Sequence, residues 1–141
     1  MSLELLVILA ASKAPDLTAW DQALSAAHVP ASFAASADLP HHTGFLPVKV
    51  EGRDTGFYFL TESYAELATQ YPTIANIGLE KPTVYSLGYG GHRDECAAVF
   101  FSASVLVSRF GGVAFDPQDD ALMSAEQLSD AAKQCLTLLP K

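Results

Sequence analysis

Residues 92–110 read HRDECAAVFFSASVLVSRF. Asp94 and Glu95 supply acids where the first turn of a helix, with its unpaired N–H groups, favours them. From Cys96 to Val107 the stretch is apolar on nearly every side, interrupted only by serines. A helix apolar all round is a buried helix, and this one is too short and too broken by serines to cross a bilayer. The spacing therefore predicts a central helix over 92–110, packed on a sheet and covered by a neighbour. Gly111-Gly112 then closes it, because glycine takes the left-handed conformation that ends helices.

The flanking segments read as the sheet such a helix needs. Upstream, Pro82 to Tyr89 alternates loosely as a strand, and Gly90-Gly91 turns the chain. Phe45 to Val50 and Thr55 to Leu60, joined by Glu51-Gly52-Arg53-Asp54, form a hairpin pattern. Gly56 inside the second strand marks a bulge or a close backbone approach. Leu3 to Ala10 is a continuous apolar run of strand length, which predicts a central strand covered on both faces. Downstream, Val113 to Phe115 is a short strand and Asp116 to Asp120 an acidic loop.

Three further helices follow from spacing and caps. Leu17, Trp20, Leu24 and Ala27 recur at helical intervals, so 15–28 is amphipathic, with Pro15 and Asp16 in its first turn and His28 at its C-terminal end. Ser63 with Glu66, and Ser124 with Gln127, are capping-box pairs opening a short helix at 63–71 and a last helix. Leu128, Ala131, Ala132, Cys135 and Leu136 line the apolar face of that last helix. Ala31 to Ala37 is a weak strand or extended segment. The expected fold is a single α+β domain over 1–141. A mainly antiparallel sheet of four to five strands carries the helices on one face, in a split β-α-β-like arrangement.

Composition bounds the function. The chain has 141 residues, half of them hydrophobic, with a mean hydropathy of +0.20, enough apolar material for one core. Sixteen acids against eight bases give a net charge of −8. Nucleic acids and anionic membranes demand a basic footprint, and no two Lys or Arg residues are adjacent, so both classes are set aside. An acidic surface aids solubility and also attracts a basic partner. Cys96 and Cys135 fall in apolar helical patterns and read as a buried thiol pair rather than a disulfide framework. Leu3 to Ala11 lacks a preceding positive region and contains Glu4, so it reads as a strand rather than a leader. A cytoplasmic protein is expected.

The candidate site residues divide into three groups. Tyr89-Gly90-Gly91-His92-Arg93-Asp94-Glu95 joins a strand to a helix N-terminus, where free N–H groups could hold an anion. Asp94 and Glu95 oppose that use, and a tight turn with helix capping is the simpler account. His41 and His42 lie in a polar loop with Asp38, and adjacent side chains on extended backbone point apart, so they do not share a metal. Asp116, Asp119 and Asp120 lack the glycine and terminal glutamate of a calcium loop and read as a solvated turn or an acidic contact patch. No metal or cofactor is expected. Catalysis has one foothold, a Cys96–His92 pair at i, i+4, where a helix N-terminus lowers a thiol's pKa. The rings of Phe45, Phe57, Tyr58, Phe59, Tyr85 and Tyr89 pack the sheet, and exposed members could form a binding face.

Several short runs together resemble a known group. These are Trp20 in the first helix, His42-Thr43-Gly44-Phe45-Leu46-Pro47, Gly52-Arg53-Asp54-Thr55-Gly56-Phe57-Tyr58, Asp94-Glu95 opening an alanine-rich helix, and Gly112-Val113-Ala114-Phe115-Asp116-Pro117-Gln118. The succession resembles small bacterial α+β proteins, some of them similar to immunity proteins that neutralise a secreted toxin. The resemblance implies fold more than function, and no catalytic residues carry over. The expectation is an acidic protein-binding module, an immunity- or antitoxin-like inhibitor of a basic protein partner. It would use His42, Tyr89, His92, Arg93, Asp94, Glu95, Asp116, Asp119 and Asp120. The alternative is a small enzyme or ligand binder at the 89–96 turn. A homo-oligomer stays open.

Overall fold

The 96–107 stretch is buried as its pattern demands: in the computed structural model, which describes residues 3–138, every side chain from Cys96 to Leu106 is inaccessible or nearly so. The helix that carries it, α3 (Arg93–Phe110), ends at Gly111, whose φ of 70° is the left-handed value. Gly112 has no room for a side chain, since an added Cβ would stand 2.8 Å from Val7 Cγ1. The ten other elements are β1 (Leu3–Ala10), α1 (Leu17–Ala26), β2 (Ala31–Phe33), β3 (Gly44–Val50), β4 (Arg53–Glu62), α2 (Tyr64–Gln70), β5 (Pro82–Tyr89), β6 (Val113–Asp116), β7 (Ala121–Met123) and α4 (Ala125–Leu138). Short 3-10 turns at Ala11–Lys13, Leu39–His41 and Pro72–Ile74 complete the description.

The sheet has seven strands in the order β2-β3-β4-β5-β1-β6-β7, every pair antiparallel. Four to five strands were expected. The surplus lies at the edges, where β2 and β7 are three residues each. Such strands are too short to show alternation, and short edges also resist pairing with other chains. β5 and β6 flank β1 and are both antiparallel to it, so they run parallel to each other with α3 as their connection. That is the split β-α-β unit.

One face of the sheet holds the main core. Leu5, Val7, Leu9, Leu46, Val48, Val50, Phe57, Phe59, Tyr85 and Leu87 point into it, under α1, α3 and α4. Trp20 is fully buried at its centre and joins two helices, its indole Nε1–H donating to Ser102 O of α3 at 2.9 Å. The rings of Phe33, Phe57, Phe59 and Tyr85 surround it with centroids 4.8–6.2 Å away. The Tyr85 hydroxyl donates to Pro15 O, and burial, with a smaller push from Asp16, raises the phenol to about 12.

The other face departs from expectation, because not every helix lies on the first. α2 and the Pro72–Ile74 turn cross over and cover Leu6, Ile8, Val84 and Phe115 with Leu67 and Ile74. This explains why β1 is apolar from Leu5 to Leu9: both of its faces are covered there. The cover stops there, and the outward side of β3, β4 and the end of β5 is left open.

Local signals settle the ends. Asp16 is the N-cap of α1 rather than a first-turn residue, its Oδ1 accepting from Ala19 N at 2.8 Å. His28 lies just past that helix with φ 56°, taking the left-handed position that terminates it. Ser124 and Gln127 close a reciprocal capping box, at 3.1 Å from Gln127 N and 2.8 Å from Ser124 N. The β3–β4 turn is tighter than expected. Val50 pairs with Arg53, so Glu51 and Gly52 alone form it, both with positive φ as primed hairpin turns require.

Cys96 and Cys135 are joined as a disulfide with Cα atoms 5.8 Å apart, correcting the expectation of free thiols. The pairing depends on α4 lying along α3, which brings together residues 39 positions apart. No helix among the described residues is long and apolar enough to cross a membrane.

Candidate functional site

Strand alternation builds the open face. On β4, Phe57 and Phe59 enter the core, so Tyr58, Leu60 and Glu62 point the other way. Tyr58 is 63% exposed, its cross-strand partner Phe45 48% and Leu60 37%, an unusual amount of ring surface to leave in water. The Phe45 and Tyr58 rings meet edge to face at 5.6 Å. Phe45 also lies over Gly56, where an added Cβ would come within 2.5 Å of its Cζ. The close approach inferred at Gly56 is therefore double: the Leu46 backbone oxygen of β3 stands nearer still, and the ring rests on bare backbone.

Beside these rings runs a groove of about 360 Å³. Ser86 and Gly88 of β5 are its floor, Tyr58 and Leu60 one wall, and Leu3, Glu4 and Gln118 the other. Gln118 is held as though it were a strand. Its Nε2 donates to Glu4 O at 2.9 Å and its Oε1 accepts from Glu4 N at 3.1 Å, while Asp116 Oδ1 accepts from Gln118 N. The amide thus closes the part of the β1 edge that β6 does not reach.

One carboxylate, Glu4, lines the groove, and a second, Glu62, lies next to its Ser86 floor. Ser86 Oγ donates to Glu4 Oε2 at 3.3 Å. Glu62 Oε2 is buried with no hydrogen-bond partner among the described residues. Burial first, then the charges of Glu4 and Glu66, push the Glu62 carboxyl above its usual range, and the Ser86 hydroxyl offsets part of this. Among the described residues no ion pair includes Glu4 or Glu62.

The residues expected from the 89–96 segment are largely engaged in holding the fold. His92 caps α3, its Nδ1 accepting from Asp94 N at 3.2 Å. Asp94, expected to steer a partner, is 5% exposed and takes two bonds from Arg53, at 3.0 Å from Nε and 2.8 Å from Nη2. The Arg53 guanidinium holds its carboxyl below the usual aspartate range. Glu95 Oε1 accepts from Gly90 N at 2.9 Å, fixing the turn. Arg93 is mostly buried, and its Nη1 reaches Leu136 O near the end of α4 at 3.5 Å. Tyr89 is buried against Phe100, and burial, with Asp116 and Asp119 nearby, raises its phenol to about 12.

The remaining expected residues are more open but scattered. Asp119 and Asp120 are exposed, and Asp120 Oδ1 accepts from Thr73 Oγ1 at 2.8 Å, tying the acidic loop to the Pro72–Ile74 turn. His42 Nε2 lies 3.1 Å from Phe45 O, and His41 pairs with Asp38 at 2.8 Å, so the two rings have separate partners. A smaller hollow of about 240 Å³ gathers His92, Glu95, Asp54, Thr55, Gly56 and Phe45, linking the α3 N-terminus to the open face. The enzyme alternative loses its nucleophile, since Cys96 is in the disulfide. Among the described residues no group of three or more His, Cys, Asp or Glu could hold a metal ion.

Sequence reasoning named Phe45 and Tyr58 as ring-bearing strand residues but did not single out Glu4, Glu62, Ser86 or Gln118. The available signal was Glu4 inside an apolar run, where a charge has to face an opening. No family model, curated protein or solved structure matches this chain.

Proposed function

We propose that this chain is an acidic protein-binding module, an immunity- or antitoxin-like inhibitor of a basic protein partner, and that it binds through the outward face of β3, β4 and β5. The observation that carries this reading is the joint exposure of Tyr58, Phe45 and Leu60 on strands whose alternate residues form the core. Aromatic anchors of this kind concentrate binding energy. The excess of carboxylates would raise the rate of encounter with a cation-rich surface and set orientation more than affinity. Asp119, Asp120 and Glu66 are exposed and available for steering; Asp94 is occupied by Arg53. Inhibition would follow from occupying the partner's surface, with no chemistry required of this chain.

Affinity capture from the native host at low salt, with wild type beside Tyr58→Ala and Phe45→Ser, tests the reading. A basic protein retained by wild type, released by salt and lost from both variants is the expected result. Capture unchanged by both substitutions would remove the face from the account.

A cytoplasmic location is part of the proposal, and the disulfide sets a condition on it, because glutathione keeps most cytosolic thiols reduced. Cys96 and Cys135 are both buried, which limits access of small thiols. Acid-trapped cells run on a non-reducing gel should show the oxidised chain in the cytoplasmic fraction. Its recovery only outside that fraction would overturn the location and leave the binding face untouched.

A further inference from the structure

The open face has an internal asymmetry. Its Phe45–Tyr58 side is apolar, while the groove beside it is lined by the Glu4 carboxylate, with the Glu62 carboxyl next to its Ser86 floor, and among the described residues neither is in an ion pair. One hydroxyl, that of Ser86, lies near both and has a single proton to donate. Glu62 is left with a buried, unpartnered oxygen. The nearest base on the same face of the neighbouring strands, Lys49, is paired with Asp54 at 3.5 Å. What the face lacks is positive charge, delivered alongside a ring.

We propose that this groove receives an arginine side chain of the basic partner, its guanidinium lying on the Ser86–Gly88 floor against the Tyr58 ring and donating to Glu4 and Glu62. The inference rests on the protein-binding reading above and specifies the group recognised. Arginine fits better than lysine for reasons of shape. A planar fork with five N–H donors can serve two carboxylates at once and stack on an aromatic ring, whereas an ammonium is a compact point charge. The floor suits a flat group, because Gly88 has no side chain and Ser86 only a short one. A bare divalent cation would find too few oxygens here, since calcium takes six or more. A second copy of this chain is disfavoured by its own net charge of −8.

The test uses three synthetic peptides, Ac-Gly-Arg-Gly-Arg-Gly-NH2 and its lysine and citrulline counterparts, titrated at low ionic strength into the isotopically labelled chain and followed by amide chemical shifts. The arginine peptide should shift Glu4, Tyr58, Ser86 and Gly88 and bind more tightly than the lysine peptide, with the neutral citrulline peptide silent. Glu62→Gln and Glu4→Gln should each weaken binding by about tenfold, the loss of one charge-assisted hydrogen bond. Tyr58→Leu should weaken it while keeping apolar bulk. Asp130→Asn, exposed on α4 and away from the open face, should change it less than about twofold. Native-like shift dispersion in each variant keeps misfolding apart from lost binding.

Equal affinity for the arginine and lysine peptides, shifts confined to residues 116–120, or no binding at all would overturn the arginine cleft. If the basic partner is still captured through Tyr58, the binding face survives that failure. Conversely, peptide shifts in the groove with capture indifferent to Tyr58 would sustain the cleft and sink the broader reading.

Discussion

Trp20 and Glu62 show opposite balances of burial. Trp20 is inaccessible, but its one polar group reaches Ser102 O, so a large apolar area is gained at no polar cost. Trp20→Phe should keep the fold and cost about 2 kcal/mol, from a vacated volume and the lost indole bond to Ser102 O, which keeps its helical donor. Urea denaturation would measure it, and a loss within error would mean the indole bond is not part of what joins α1 to α3. Glu62 is partly buried with only the Ser86 hydroxyl to offset its loss of water, and its carboxyl is pushed above 4.5. The folded chain therefore holds this proton to higher pH than the unfolded chain does. The stability Glu62 contributes falls as pH rises through the window above 4.5, and ionised Glu62 is a net cost at neutral pH. Glu62→Gln should raise the melting temperature at neutral pH, with the gain vanishing below 4.5. A neutral or lower melting temperature would show that Glu62 is already compensated. A residue kept at a cost to folding is a candidate for use in binding.

At the scale of elements, α4 depends on a bond as well as on packing. Only Leu128, Ala132 and Cys135 of its described side chains are buried, a thin apolar face for fourteen residues. Replacing Cys96 and Cys135 by serine should cost about 2–4 kcal/mol, the usual effect of opening a loop of this size. Hydrogen exchange should then rise in α4 first, while β1 and β5 stay protected. Uniform acceleration would show that α4 and the sheet unfold as one unit. Much at this scale was legible in the sequence. α3 announced itself because it is apolar all round, β1 because both its faces are covered, and α4 through Ser124 and Gln127. What stayed hidden is what tertiary placement decides. The disulfide needs α4 beside α3, β7 is too short to alternate, the weak strand read at 31–37 is paired only over Ala31–Phe33, and nothing local in α2 says which face of the sheet it crosses. The open face was half legible: the rings of Phe45 and Tyr58 stood out and Glu4 broke an apolar run, but Glu62 looks like an ordinary solvated strand position and Gln118 like an ordinary turn residue until their neighbours are known.

For the whole molecule, the helices and the α2 crossing leave the outward side of β3, β4 and the end of β5 uncovered, with Leu122 of β7 exposed apart from it, and the larger part combines exposed rings with carboxylates that no ion pair among the described residues engages. The acidic groups first read as steering residues have divided roles. Asp94 and Glu95 hold the α3 N-terminus, while the charge free to act on a partner lies around the open face and the Asp119–Asp120 turn. With a net charge of −8, association with a cationic partner should slow as salt shortens the range of attraction to below about 10 Å. The most direct test places a photoreactive phenylalanine at position 58, and separately at Lys133 on the exposed side of α4, in chains expressed in the native host. Irradiation should attach one basic protein at position 58 and none at position 133. Attachment at 133 alone, or equally at both, would contradict the assignment of the open sheet face as the binding surface.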